Sequence, residues 1–338
     1  MANPEISVII PFYNVGRFVP YCMNSLLAQT FEDFELLCVD DGSTDDTSAI
    51  LDAYARQDAR VRVIHKRHGG LQAAARNEAI PLTRGKYLAF VDGDDFVGPY
   101  YLQSMLDAMD GAVDTMVCMP YLLVDEKEIL SGRSIYSRPD DWTMPQVASR
   151  PAREEFSEFL AHDVVTESCW GKLMPRAAFG QGFFPAGRLY EDLAAIGKST
   201  VWAQRYVLLD EPAYGYVMRG GSTVHKKRVA EKQVDDYLSA IEEFRRLVGP
   251  LLDENSKGLV YREALSLSRL HTLVHDGETD ASLRERVDAR VHEYLQRHLD
   301  EIMRDPYASA MSKVRFRLLK DNPGLYDAVY HAAKRKAR

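Results

Sequence analysis

The 338-residue chain has a formal charge of −8 and is 46% hydrophobic and 27% charged, enough apolar material for a sizeable core and for more than one domain. The negative balance argues against a nucleic-acid partner, because a phosphate backbone calls for an excess of Lys and Arg. No run reaches the roughly 20 apolar residues of a membrane span, and the start MANPEISVII has neither the basic region nor the cleavage site of a secretory signal.

Residues 1–123 alternate short β-rich runs with helical patterns, which predicts an α/β fold built on a mainly parallel sheet flanked by helices. Strands are expected at Ile6–Pro11, Phe34–Asp40, Val61–His65, Lys86–Val91 and Asp114–Met119. Phe18, Val19, Cys22, Met23, Leu26 and Leu27 recur at helical spacing, and Pro20 is tolerable there because it falls in the first turn. Ser43 and Asp46 mark a helix N-terminus that Ile50, Leu51 and Tyr54 carry inward. From 124 to 150 the pattern dissolves into a polar, proline-bearing loop or linker. A helix near Arg153–Ala161 follows, then an irregular segment through Trp170 and Asp192, strands around Val207–Leu209 and Tyr214–Met218, and long helical patterns from 229 onward. The expected organisation is two halves of one α/β domain, 1–123 and 124–228, and a helical region, 229–338.

Cys22, Cys38, Cys118 and Cys169 sit among apolar neighbours without CxxC spacing, which reads as reduced core thiols and a cytoplasmic setting. Residues 313–338 carry eight Lys and Arg against two Asp, with Val314, Leu318, Leu325, Val329 and Tyr330 interleaved. That pattern fits either a docked helix with a solvated face or a peripheral anchor on an anionic membrane leaflet.

Acidic residues gather where strands are expected to end, the edge at which open α/β sheets bind ligands. Asp40 and Asp41 close the second strand in VDDGSTD, and Asp92, Asp94 and Asp95 close the fourth in FVDGDD. Each motif alone is compatible with a turn. Together, five carboxylates at one edge repel unless a cation or donors are bound there. Oxygen-only ligands select Mn²⁺ or Mg²⁺, and Mg²⁺ shares its sphere with substrate phosphates. If strands one and two are adjacent, the first loop, PFYN, presents Tyr13 beside Asp41, an aromatic face for a base beside an acceptor for its N–H, the alternative being that Tyr13 caps the core edge. Glu191 and Asp192 read, on their own, as the charged first turn of a helix. Trp170 is either core or a platform for the apolar face of a sugar, and Arg219, Ser222 and His225 lie in a polar loop after the last strand. There is no HExxH, GxSxG or P-loop, and the first βα loop lacks GxGxxG.

PFYN, SLLAQTF, FELLCVDDGSTDDT, GGLQAAARN, GKYLAFVDGDD, WGKL, FPAGRLYEDLA and LDEPAYGYVMR, in this order over residues 5–225, resemble family 2 glycosyltransferases of the GT-A fold, which assemble bacterial exopolysaccharides, capsules and related glycans. The resemblance implies a nucleotide-sugar-binding half at 1–123 and an acceptor-binding half at 124–228. It implies donor contacts from Pro11, Tyr13, Asn14, Asp41, Arg76, Asp92, Gly93 and Asp94, and a metal held by Asp92 and Asp94 with Asp95 adjoining. It makes Asp192 the catalytic base, with Glu191 orienting it or contacting the acceptor, and beside it Trp170, if not core, is the candidate acceptor contact. The chain departs from the family pattern by one extra residue before Arg76 and by Ala79 where glycine is usual. The implied reaction is inverting transfer from a nucleotide-diphosphate sugar, such as a UDP-sugar, to a glycan or lipid-linked acceptor. A sugar-phosphate nucleotidyltransferase and a non-catalytic carbohydrate-binding protein are the alternatives, the first lacking a glycine-rich, lysine-bearing loop after strand one.

Overall fold

The computed structural model describes residues 3–69, 71–131, 142–151, 155, 168–219, 228–252, 258–306 and 308–336. The chain divides into two compact units, 1–153 with 166–220, and 154–165 with 221–338.

The first unit is built on an eight-stranded sheet. Its strands in chain order are β1 (Ile6–Phe12), β2 (Phe34–Asp40), β3 (Val61–His65), β4 (Tyr87–Phe90), β6 (Thr115–Cys118), β8 (Val147–Ser149), β9 (Lys172–Pro175) and β10 (Arg205–Leu209). Their spatial order is β3-β2-β1-β4-β9-β6-β10-β8. A second, three-stranded sheet joins β5 (Phe96–Val97), β11 (Tyr214–Met218) and β7 (Tyr121–Asp125) in the order β5-β11-β7. The connecting helices are α1 (Val19–Leu27), α2 (Thr47–Gln57), α3 (Gln72–Ala79), α4 (Tyr101–Met109), α5 (Glu126–Leu130) and α6 (Glu191–Trp202).

The central strands are apolar along their whole length because both faces are covered. All seven residues of β1 and of β2 are buried. Ile6, Val8, Ile10, Leu36 and Cys38 face a core shared with Cys22, Met23 and Leu26 of α1. Ile9, Leu37, Val39, Leu88 and Phe90 alternate to the other face, against Ala73, Ala75 and Ala79 of α3 and Phe184. The small α3 residues let that helix approach the sheet closely, which matters because α3 carries Arg76.

Strands β3, β2, β1 and β4 run parallel, so their carboxyl ends share one edge. Pairing with β4 ends at Ile9, whereas pairing with β2 continues to Phe12. Pro11, which has no N–H to give, therefore falls where one neighbour has already left. Between β4 and β6 runs β9, antiparallel to both. Reversing its direction places the residues before it, Cys169 and Trp170, at that same edge.

Several expectations are revised. Residues 124–150 are not merely a loop, since β7 extends to Asp125 and α5 and β8 follow. The segment after Trp170 contains β9, a run of only four residues that periodicity cannot detect. Helix α2 begins at Thr47, where Asp45 rather than Ser43 accepts from the Thr47 N–H at 3.1 Å. The helix expected at Arg153–Ala161 lies outside the described residues, Glu155 excepted. The four cysteines are free and buried.

The second unit is helical: α7 (Glu231–Val248), α8 (Gly258–Asp276), α9 (Ala281–Arg304), α10 (Ala310–Asp321) and α11 (Pro323–Lys336). Val274 of α8 and Val287, Val291, Leu295 and Ile302 of α9 are buried. Among the described residues no helix is long and apolar enough to cross a membrane.

Candidate active site

The parallel edge brings the motifs together. The PFYN loop leaves β1 and is tied to the DGST turn after β2: the Asn14 N–H donates to Ser43 Oγ at 3.0 Å, and the Thr44 N–H to Asn14 Oδ1 at 2.7 Å. Asn14 takes φ 50°, a left-handed conformation that asparagine tolerates better than most residues. Gly42 sits at φ 73°, and a Cβ on it would lie 2.6 Å from the His68 nitrogen, so the turn requires glycine twice over. Asp40 points inward as a fastener, accepting from the Ser43 N–H at 3.0 Å, from Ser48 Oγ and from His65 Nδ1 at 3.1 Å.

Asp41 faces the cleft. Lys66 Nζ lies 3.2 Å from one of its oxygens, His68 Nδ1 2.9 Å from the other, and the Gly69 N–H donates to it at 2.9 Å. The half-exposed Tyr13 ring stacks on His68, centroids 4.1 Å apart and planes within 13°. His68 thus lies where a flat base is expected, against Tyr13 and on Asp41. Nothing in its sequence position announced it, although a histidine two residues after Lys66 was there to be read.

After β4 the chain turns through Asp92, Gly93, Asp94 and Asp95. A Cβ at Gly93 would lie 2.4 Å from the Phe12 ring and 2.8 Å from the Pro11 carbonyl oxygen. The motif's glycine is therefore dictated by close packing against the PFYN strand. The carboxylates of Asp92, Asp94 and Asp95 offer oxygens within 4.8 Å of one another. They differ in what already holds them. Asp95 is buried and accepts from the Tyr214 hydroxyl at 2.6 Å and from the Val217 N–H at 2.8 Å, which fixes β11 to the turn. Asp94 accepts from Arg219 Nε. Asp92 accepts from Arg76 at 2.8 Å. Ser222 and His225, grouped with Arg219 in the sequence, lie outside the described residues.

Arg76 is the hub. Its side chain is fully buried, rises from α3 over the Phe184 ring, and donates through Nη2 to Asp92 and to Gln72 Oε1 at 3.0 Å. Through Nη1 it reaches Glu191 at 2.9 Å and Asp192 at 2.7 Å. One guanidinium therefore spans the gap between the turn after β4 and the start of α6. Asp192 also accepts from the Cys169 N–H at 3.3 Å, a contact that exists because β9 is reversed. Tyr190, immediately before the pair, holds a left-handed φ of 58°, and such backbone strain is costly unless the surroundings enforce it. Asn77, next to Arg76, clamps the segment leading to the pair by donating to the Phe184 carbonyl at 2.7 Å and accepting from its N–H at 2.9 Å. Asn77 and Tyr214 are positioning residues that the sequence reading missed.

Trp170 is packed among aromatic rings. It is 6% exposed and stacks on Tyr214 at 4.5 Å and Tyr216 at 5.6 Å, with Tyr121 edge-on at 5.0 Å. Of its two readings the geometry supports the core one, because its ring already has aromatic partners.

The electrostatics follow from crowding acids into a dry place. Burial, then the neighbouring Asp94 and Asp192, push Asp92 up to about 6 despite Arg76. Burial and the charges of Asp94 and Asp92 likewise hold Asp95 well above the ordinary carboxylate range. Glu191 is pushed up to about 7 by burial and by Asp192. An edge with three clustered oxygen donors and protonation held this unfavourably for the anion suits a hard divalent cation.

The family model Glycosyl transferase family 2 matches residues 7–183, more than half of the chain. The chain belongs to this family. It is 29% identical to the glycosyltransferase GlyG of Streptococcus pneumoniae over 220 residues, covering 64% of this chain and 72% of GlyG. It is 28% identical over 270 residues to the putative glycosyltransferase EpsH of Bacillus subtilis, 78% of this chain and 74% of EpsH. Among solved structures, S. aureus TarS 1–349 in complex with UDP-GlcNAc superposes with a TM-score of 0.59 at 21% identity, over 94% of this chain and 90% of that one. The mannosyltransferase PcManGT from Pyrobaculum calidifontis, in complex with GDP-Man and Mn²⁺, gives 0.53 at 13% identity, over 96% and 88%. The GT-A fold expected from the motifs is the fold observed, and this member of the family is a glycosyltransferase.

The raised Glu191 has a consequence for this transferase. A carboxyl whose folded value lies at about 7 instead of 4.5 contributes stability that is complete below 4.5 and is lost as pH rises through about 7. Replacing Glu191 by Gln removes that loss, so the melting temperature of Glu191→Gln minus that of the wild type should increase across this window. Differential scanning calorimetry without metal or nucleotide measures it, and a difference that stays flat with pH contradicts the assignment.

Proposed function

We propose that the chain is an inverting glycosyltransferase that moves a sugar from a nucleotide diphosphate, a UDP-sugar in the first instance, to a hydroxyl of a glycan or lipid-linked acceptor in cell-surface polysaccharide assembly. One observation carries the reading: a single buried guanidinium binds Asp92 at 2.8 Å and Asp192 at 2.7 Å. The acids suited to the leaving diphosphate and the acid suited to the acceptor's proton thus border one cleft. The UDP-GlcNAc in TarS and the GDP-Man with Mn²⁺ in PcManGT support a nucleotide-sugar donor and a divalent cofactor.

In this reading Asp92 and Asp94 hold Mn²⁺ or Mg²⁺, while Asp95, with its oxygens turned to Tyr214 and Val217, adjoins the metal and fixes the turn. A bound divalent cation supplies positive charge against the negative charge that builds on the departing diphosphate. Tyr13 and Asp41 receive the base in place of His68. Pro11 and Asn14 shape that pocket through the loop they hold, and Gly93 allows the two loops to touch. Arg219, which now neutralises Asp94, is free to pair with the diphosphate once a metal does so. Asp192 accepts the proton of the acceptor hydroxyl as its oxygen attacks the anomeric carbon from the face opposite the nucleotide. Arg76 and the Cys169 N–H hold that carboxylate in one orientation, and Glu191 shares the guanidinium.

Asp192→Asn should keep UDP affinity in calorimetric titration yet lose about 10²–10⁴-fold in turnover of a UDP-sugar, the usual worth of a general base. Asp94→Ala should lose the Mn²⁺-dependent part of UDP binding. Unchanged turnover in Asp192→Asn contradicts the base assignment, and metal-dependent binding that survives Asp94→Ala contradicts the metal assignment.

We also propose a cytoplasmic location with peripheral contact to an anionic leaflet through the basic tail. Met311, Val314, Leu325 and Val329 are 46% to 63% exposed along α10 and α11 among Lys and Arg. Exposed apolar residues in a stretch of sequence rich in Lys and Arg suit the interface of an anionic bilayer. Truncation after residue 312 should reduce sedimentation with anionic vesicles, most clearly at low salt. Equal sedimentation of the truncated and full chains refutes the contact.

A further inference from the structure

The helical unit contains a second convergence of ligating groups, remote in sequence from every motif of the sugar-transfer site. His271 and His275 lie one turn apart on α8 and stack at 4.1 Å. Two carboxylates reach them from other helices, Asp288 on α9 and Asp327 on α11. Asp288 takes one nitrogen of each ring: His271 Nδ1 at 2.8 Å and His275 Nε2 at 3.0 Å. Asp327 faces the other nitrogen of each ring: His271 Nε2 at 3.1 Å and His275 Nδ1 at 3.4 Å. His271 is buried, with 1% of its side chain exposed, whereas His275 and Asp327 are exposed by 21% and 25%.

The proton inventory gives this arrangement its meaning. A neutral imidazole has one N–H and one lone pair. When both rings donate to Asp288, the lone pairs of His271 Nε2 and His275 Nδ1 point at Asp327, itself an acceptor. Three acceptors then converge with nothing between them to donate. One further proton, on His271, lets that ring donate to both carboxylates but still leaves the His275 Nδ1 lone pair 3.4 Å from Asp327, and a second proton on each ring would stack two cations 4.1 Å apart, where like charges repel. A single divalent ion satisfies all three acceptors at once. Two imidazole nitrogens with one carboxylate oxygen suit Zn²⁺ better than Mg²⁺ or Mn²⁺, which prefer oxygen. A carboxylate on the remote nitrogen of each metal-bound histidine is the support such sites usually have.

We propose that His271, His275 and Asp327 form a zinc-class metal site, supported by Asp288, that clips the basic helix α11 to α8 and α9. The site is separate from the sugar-transfer chemistry and acts on the stability of the helical unit. The ligand atoms already lie within 4.8 Å of one another, so binding asks for a small contraction and no rearrangement of helices.

The test is calorimetric titration of Zn²⁺ into the full chain in excess Mg²⁺, which occupies oxygen-only sites, with amide hydrogen exchange on α11 as a second readout. The wild type should bind one equivalent and show slower exchange across 323–332 when loaded. Asp327→Asn and His275→Gln, near-isosteric changes at partly exposed positions, should each lose at least about 100-fold in affinity, while Asp288→Asn should lose about 10–100-fold as a supporting residue. Asp94→Asn should bind Zn²⁺ as the wild type does. Absence of binding by the folded wild type overturns the proposal. So does affinity unchanged in Asp327→Asn, or binding that disappears in Asp94→Asn.

Discussion

A single buried arginine sets the terms for the rest of the catalytic unit. Arg76 faces Asp92, Glu191 and Asp192, three acids from two distant stretches of chain, and it is their common cation. Removing any one partner from so dry a position is costly, because a buried charge left alone loses far more than a surface pair is worth. The geometry of the cleft is therefore over-determined. The small residues of α3 let it approach the sheet, Asn77 anchors the loop carrying Phe184, and the reversed strand β9 delivers the Cys169 N–H to Asp192. The residual tension is visible in Asp92 and Glu191, which burial and neighbouring acids push up to about 6 and about 7 even with the guanidinium present.

That tension links stability to function. In the proposed function a cation held at this edge would relieve the repulsion among the acids, and the free energy of that relief would become binding energy. Fixed elements surround it. Asp95 is committed to Tyr214 and Val217, Asp40 to the turn after β2, and Gly93 to the contact with Phe12. Asp94 is held by an arginine side chain, and Asp41 by lysine and histidine side chains beside the single Gly69 N–H, so most of their partners are side chains that can swing away. Anchored acids thus alternate along the motifs with acids whose partners are exchangeable.

Much of this was legible in the residues. Strands β2 and β3 fall where their β-branched and apolar runs ended, and the stripe from Phe18 to Leu26 is the buried face of α1, because parallel strands covered on both sides leave a continuous apolar signal. The acid clusters at strand ends were legible for the same topological reason. What escaped depends on long-range geometry. Four-residue β9 has no period to detect, and its antiparallel course is set by β4 and β6 more than 50 residues upstream. Trp170 was ambiguous until Tyr214 and Tyr216 were seen stacked on it. The resemblance implies Arg76 as a neighbour of the diphosphate, and only the fold reveals that it joins the two acidic motifs.

The central claim, that Arg76 couples the Asp92 side of the cleft to the Asp192 side, is most directly tested by a double-mutant cycle. Urea denaturation of the wild type, Asp92→Asn, Asp192→Asn and the double variant yields the interaction free energy. Two groups bound to one buried guanidinium should show a coupling of about 0.5–3 kcal/mol. Effects that add to within about 0.5 kcal/mol would mean that the two aspartates do not sense each other through Arg76.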